Sequence, residues 1–390
     1  MTEVLKGIRV LDLGGYIAAP YGATLLGDLG AEVIKVEPPE GDPLRHYPST
    51  LARASRGFLG VNRGKRGLVI DLKRPEGREV VVRLARSADV LIHSLRPSVP
   101  SRLGIAYEQL RRENRRLVYC ALSGYGEAGP LKDRPGYDQV LQSFTGICSL
   151  QGPAGGEPQI VYVSIVDFHA AALIAYGVAA ALFRRERTGQ GEFLTLSLLQ
   201  AALAMQSQRF IRAEGEDGSE SRDMRSGGVT GIYATREGYI YISANTPHFW
   251  QALCRALELP ELAADARYDT IRKRAEHAGE LRPRVQARFL EKPALEWERI
   301  LGEDVPCSAI RRIEDMFDHP QVSGNGWVRE FDHPAAGRYR GFAEPVRFAG
   351  VNAATPRPAP GLGEHSRAVL GEMGFAAAEI EALAASGVVR

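Results

Sequence analysis

No two of the four cysteines, Cys120, Cys148, Cys254 and Cys307, stand at CxxC or zinc-type spacing, which excludes a dithiol redox motif and a zinc ribbon. In a chain of 390 residues with no secretory leader they read as reduced core thiols. Charge of one sign is also lacking. Lys and Arg number 49 against 47 Asp and Glu, a net of +2, which gives no basis for nucleic acid or an anionic membrane as the main partner. The longest uncharged apolar run, Phe168 to Phe183, contains His169 and falls short of the ~20 residues of an easy membrane span. Met1–Lys6 lacks the basic-then-apolar layout of a signal peptide, so a soluble, cytoplasmic protein is expected. Glycine is plentiful, at 42 residues, but without a Gly-X-Y period, which excludes collagen. With 44% hydrophobic and 25% charged residues the chain is neither disordered nor fibrous.

Several catalytic signatures are absent. After the first strand the chain reads Gly14-Gly15-Tyr16-Ile17-Ala18-Ala19-Pro20, with Pro20 where a dinucleotide fingerprint needs its packing glycine. This disfavours a nicotinamide-dependent oxidoreductase. There is no G-x-x-x-x-G-K-[ST] phosphate loop, no G-x-S-x-G elbow and no H-E-x-x-H, and no metal site is expected.

What is present alternates. Ile8–Leu13, Glu32–Val36, Leu68–Leu72, Val90–Ile92, Leu117–Cys120 and Phe193–Leu196 read as strands. Between them lie a helix with Pro20 in its first turn and Gly30 at its end, a second opening at Pro75-Glu76, and a long apolar one over Asp167–Arg187. Such alternation predicts an open, parallel, Rossmann-like α/β sheet with right-handed crossovers. Leu198–Arg212 reads as a further helix, and 213–226, polar and acidic without periodicity, as a linker. Beyond it Gly231–Thr235 and Tyr239–Ala244 form a hairpin pattern, and helices follow at Phe249–Leu257 and Ala294–Leu301. The expected domains are a large one over 1–212, a smaller α+β one over 227–325, and a return segment over 326–390 that completes the first. That segment ends in helices near Ser366–Met373 and Ala377–Ala385.

Ser164-Ile165-Val166-Asp167 opens the long apolar helix. It reads in two ways. Ser164 and Asp167 resemble a capping box, although Asp is a short fit where Glu or Gln is usual. Alternatively, Asp167 is an ionised carboxylate favoured by the helix N-terminus and available as a nucleophile. The basic loop Asn62-Arg63-Gly64-Lys65-Arg66-Gly67 suits phosphates or is a solvated turn. His169, two residues past Asp167, falls on another helix face and reads as packing or pocket lining.

The motifs together resemble family III CoA-transferases, the CaiB/BaiF group. They are Leu5–Asp12, Leu29–Glu37, Asn62–Arg66, Ile70–Lys73, Ser123–Gly126, Arg134–Asp138, Thr188–Gly191 and Leu362–His365, in one order over nearly the whole chain. The resemblance implies an enzyme that moves CoA from an acyl-CoA to a small free carboxylic acid. CoA thioesters are its substrates, and it has no permanently bound cofactor. It implies Asp167 as the nucleophile, passing through an aspartyl anhydride and an aspartyl-CoA thioester. It places Ile17 and Ala18 at the thioester end of CoA, Lys65, Arg66, Arg96 and Arg102 at its phosphates, and Tyr137 by the pantetheine arm. Asp138 falls near the active site, and Gly227 and Gly228 in a loop that covers the reacting thioester. It also implies an interlocked homodimer, each chain forming a ring through the other. The alternative within the superfamily is a 2-methylacyl-CoA racemase. That reaction needs two proton carriers, and the racemase histidine aligns with Tyr137, whose ordinary pKa near ~10 makes it a poor base.

Overall fold

The computed structural model describes residues 3–51, 53–152, 156–216, 226–351 and 357–390. Most of the expected linker, 217–225, and residues 352–356 of the return segment lie outside the described residues. The chain divides into two compact units, one of Met1–Ile211 with Gln321–Arg390, the other of Arg212–Pro320.

The first unit is built on a six-stranded sheet of β1 (Arg9–Leu13), β2 (Glu32–Glu37), β3 (Arg66–Val69), β4 (Val90–His93), β5 (Val118–Ser123) and β6 (Phe193–Ser197). Every neighbouring pair is parallel, in the order β3-β2-β1-β4-β5-β6. Parallel strands are covered on both faces, so they read as unbroken apolar runs, and alternate side chains go to opposite sides. Val10, Val33, Val90, Ile92, Val118 and Cys120 join one core, with α1 (Ala18–Asp28) and α7 (Ile165–Thr188). Leu11, Ile34, Leu68, Leu91 and Tyr119 join the other, with α3 (Pro75–Ser87) and the C-terminal helices Ser366–Glu372 and Ala377–Ala385.

Small residues let α1 and α7 approach closely. A Cβ on Gly22 would lie 2.8 Å from Ile174 Cγ2, so glycine is required at the crossing. By length and composition α7 would suffice to cross a membrane, longer than the uncharged run suggested; Val166, Ala170, Ile174 and Val178 bury one side of it in this core.

Several elements differ from the sequence expectation. β3 begins two residues earlier, and Ile70 instead bridges Val389 as the chain end returns to the sheet edge. The helix expected over 198–212 stops at Ala204 as α8 (Leu198–Ala204). There Gln206 Nε2 donates to Ala202 and Thr145 carbonyls and Ser207 Oγ to Ala204 O, so side chains compete with the helical ladder. A hairpin of β10 (Val328–His333) and β11 (Gly337–Phe342) was not foreseen, because β11 is largely exposed and β10 buries only Phe331 and His333, which leaves a weak apolar pattern.

The second unit holds an antiparallel sheet of β7 (Gly231–Ala234), β8 (Tyr239–Ile242) and β9 (Cys307–Ala309). It packs with helices Pro247–Ala256 and Ala294–Leu301 around Trp250, Phe289 and Trp297. Helix Ala278–Phe289 escaped the sequence reading because Pro283 stands inside it.

Candidate active site

Parallel α/β sheets offer ligands the carboxyl ends of their strands, where strand order reverses. Here β1 lies between β2 and β4, and a cavity of about 170 Å³ opens beyond the ends of β1, β4 and β5. Its wall comprises Gly15–Ala18 after β1, Ser94, Arg96 and Pro97 after β4, Leu122–Gly124 of β5, the loop residues Lys132 and Arg134–Tyr137, and Asp167. Gly124 and Gly136 hold that loop close, since a Cβ on Gly136 would lie 2.9 Å from the Gly124 Cα.

The turn after β1 rests on buried charges. Asp12 Oδ1 accepts from Gly14 N at 2.9 Å, and Lys35 Nζ donates to Gly14 O at 2.5 Å and to Asp42 Oδ2 at 2.8 Å. Gly15 N donates to Ser94 Oγ at 2.9 Å and Tyr16 N to Asp42 Oδ1 at 3.2 Å. Burial alone would raise the Asp12 carboxyl, but Lys35 and Lys65 outweigh it and hold the pKa below the usual range.

Asp167 sits in the first turn of α7. The capping-box reading is corrected: the Ser164 side chain caps nothing. The buried Asp138, first residue of α6 (Asp138–Phe144), caps α7 from outside. Its Oδ2 accepts from Val166 N at 2.7 Å and Asp167 N at 3.0 Å, and Gln142 Nε2 holds its Oδ1 at 2.5 Å. The Asp167 carboxyl is thereby released to the cavity and bonds no donor among the described residues. Burial first, and the Asp138 charge second, push its pKa up to about 7.

The other expected site residues divide. Ile17, Ala18, Arg96 and Tyr137 line the cavity with Asp167. Arg102 is exposed in α4 (Val99–Leu103), outside the cavity wall. Lys65 requires a correction. Its ammonium is fully buried and all three donors are taken, by Asp12 Oδ2 at 2.8 Å, Pro20 O at 2.7 Å and Asn62 Oδ1 at 2.8 Å. No donor is left for a phosphate, and burial lowers its pKa to about 8. Arg66 is corrected as well. It starts β3, at the end of the sheet away from the cavity, and pairs with Glu32 at 2.8 Å and Glu372 at 2.5 Å. Gly227 and Gly228 are buried in the second unit with φ of 59° and 70°, and a Cβ on either would strike Ile271 or the Arg274 carbonyl. Packing within that unit therefore requires both glycines.

Lys132 and Arg134 escaped the sequence reading, although Arg134 opens the motif quoted above. With Arg96 they place three exposed cations around the cavity, none within ion-pair distance of a carboxylate among the described residues.

Residues 5–366 match CoA-transferase family III. The succinyl-CoA:glutarate CoA-transferase of Mus musculus is 34% identical over 395 residues, covering 99% of this chain and 90% of the relative. The acetyl-CoA:oxalate CoA-transferase of Acetobacter aceti is 31% identical over 383 residues, 96% of each chain. A crystal structure of a CaiB/BaiF family protein from Brucella suis superposes with a TM-score of 0.82 at 30% identity, covering 95% of this chain and 99% of that one.

Proposed function

This chain belongs to CoA-transferase family III, and from that premise we propose that Asp167 is its nucleophile in moving CoA from an acyl-CoA to a small dicarboxylate. CoA-transferase activity itself follows from the family and its named relatives. The observation that carries the finer reading is the division of labour between two carboxylates. Asp138 caps α7, so Asp167 is left uncapped, partly desolvated and on the cavity wall.

The steps balance without metal or nucleotide. An Asp167 carboxylate oxygen attacks the thioester carbonyl carbon, the C–S bond breaks, and CoA leaves as thiolate from a mixed anhydride. The thiolate attacks the aspartyl carbonyl carbon, the anhydride C–O bond breaks, and the donor acid departs. The acceptor carboxylate then attacks the aspartyl-CoA thioester, and the same two steps in reverse give the new acyl-CoA and free Asp167. A carboxylate is a weak nucleophile, so it depends on lost hydration and fixed geometry, which the half-buried position of Asp167 supplies.

The acceptor class rests on two supports. Glutarate and oxalate, named for the two relatives, are dicarboxylates. Arg96, Lys132 and Arg134 offer cations for a second carboxylate and for CoA phosphates. The racemase reading is not favoured: the relatives are transferases, and Tyr137 stands where that reaction wants a histidine. We further propose a homodimer, supported by the apolar side chains Tyr176 and Phe183 that α7 exposes at 74% and 67%. The cytoplasmic location is proposed with it, in keeping with four free cysteines.

The test is trapping. Incubation with succinyl-CoA and hydroxylamine, or with borohydride, should convert Asp167 to a hydroxamate or an alcohol, as read by peptide mass spectrometry. Asp167→Ala should abolish transfer while staying folded. Turnover retained in that variant, or an unmodified Asp167 with every donor tried, overturns the assignment.

A further inference from the structure

We propose that the Tyr16 phenol donates a hydrogen bond to the carbonyl oxygen of the thioester that Asp167 attacks. This role rests on the transferase reading above and adds a catalytic residue to it.

Tyr16 has a φ of 62°, and among the described residues the only other non-glycine with positive φ is Glu258. The left-handed region costs an L-residue about 1–2 kcal/mol and persists only where its surroundings over-determine it, often at functional sites. The surroundings here are the hydrogen bonds that the turn's N–H groups donate to Asp12, Ser94 and Asp42, and the one that Lys35 donates to Gly14 O. They hold a strained tyrosine on the wall of the cavity that Asp167 also lines. Tyr16 and Asp167 thus face one and the same cavity.

The ring is fixed on both sides. Tyr47 meets it edge-on at 6.1 Å between centroids, and Tyr137 at 5.2 Å. The Tyr137 hydroxyl donates to the Tyr16 oxygen at 3.3 Å, which leaves the Tyr16 proton uncommitted; no acceptor among the described residues takes it. That proton stays in place at neutral pH, since the ordinary phenol pKa of about 10 lies well above it.

The reaction needs such a donor. When the Asp167 oxygen bonds the carbonyl carbon, the π pair moves to the carbonyl oxygen, and that oxyanion must be met before the C–S bond breaks. Five nearby main-chain N–H groups are already paired. The N–H groups of Val166 and Asp167 serve Asp138, and those of Gly14, Gly15 and Tyr16 serve Asp12, Ser94 and Asp42. The Tyr16 phenol is the aromatic donor left facing the cavity, and a phenol is a stronger donor than a serine hydroxyl. Its proton is never transferred.

Tyr16→Phe tests the role, since it keeps the ring, both edge contacts and the backbone. The experiment is quenched-flow mass spectrometry of the Asp167 adduct with acetyl-, succinyl- and glutaryl-CoA, beside steady-state transfer. Losing one oxyanion donor should slow adduct formation and kcat by about 100-fold. The KM for the CoA ester and the melting temperature should stay within error, and Tyr47→Phe should behave as wild type. An adduct formed at the wild-type rate in Tyr16→Phe overturns this role alone, as does a raised KM with unchanged kcat. A wild-type protein that forms no adduct with any donor overturns this role and the transferase mechanism together.

Discussion

The Asp138 carboxylate accepts a hydrogen bond from the main-chain N–H of Asp167 at 3.0 Å, while its charge helps raise the pKa of the Asp167 side chain. One group thus does two things to its neighbour. It replaces the local cap of α7, which frees the second carboxylate. It also opposes ionisation of that carboxylate, which makes the anion more basic once it forms.

Asp138→Asn separates these effects. The amide oxygen can still accept a main-chain N–H, but the charge is gone. The Asp167 pKa should fall from about 7 toward the ordinary carboxyl value, without reaching it, since burial is the larger cause. The acidic limb of kcat/KM against pH should move to lower pH. Asp138→Ala should lose the cap too and lower stability by roughly 0.5–2 kcal/mol. Urea titrations and pH–rate profiles read the two separately.

The wild-type profile should rise through about pH 7, because the nucleophile must be ionised. Stability should run the other way. The folded pKa of Asp167 lies above its unfolded value, so the native state holds more protons between about pH 4 and 7 and loses stability as pH rises across that window. The linkage bound is roughly 4 kcal/mol, reduced by the part of the carboxyl that water reaches. Asp167→Asn should therefore be more stable than wild type at pH 8, with the gap closing as pH falls to 4. A gap independent of pH in chemical denaturation would refute this.

Lys65 and Arg134 should fail in opposite ways. Lys65→Met leaves Asp12 buried beside only Lys35, at 3.8 Å, and breaking such a pair costs about 3–5 kcal/mol. Melting temperature should drop while the KM of surviving enzyme is little changed. Arg134→Ala removes an exposed cation from the cavity wall and should raise KM for CoA ester or acid several-fold with no loss of melting temperature.

His93, at the end of β4, sets an acid limit. Its Nδ1 accepts from Leu95 N at 3.1 Å, its Nε2 has no partner, and burial lowers its pKa to about 4. The unfolded histidine takes up a proton below about pH 6.5 and the folded one does not, so the contribution of His93 to stability, opposite in sign to that of Asp167, should fall as pH drops from 6.5 to 4. His93→Gln should flatten that part of the curve, measured as denaturation midpoint against pH.

The central strands were legible because burial on both faces writes an apolar run into each of them, and β1, β2, β4 and β5 follow those runs. The helix around Pro283 and the hairpin β10–β11 were not, since neither carries a period strong enough to register. Asp167 was legible as a candidate only. Its release from capping depends on a carboxylate 29 residues away, which no local pattern contains.

Composition, periodicity and motif order determined the α/β class, the family resemblance and the position of the candidate acid. The tertiary structure decided which charges face substrate. A lysine in a basic loop looks the same in a sequence whether it meets water or Asp12, and only packing decides that Lys65 turns inward while Arg134 stays at the cavity. The physical reason is that burial and pairing are set by neighbours distant in the chain, whereas patterning records only which face of an element avoids water.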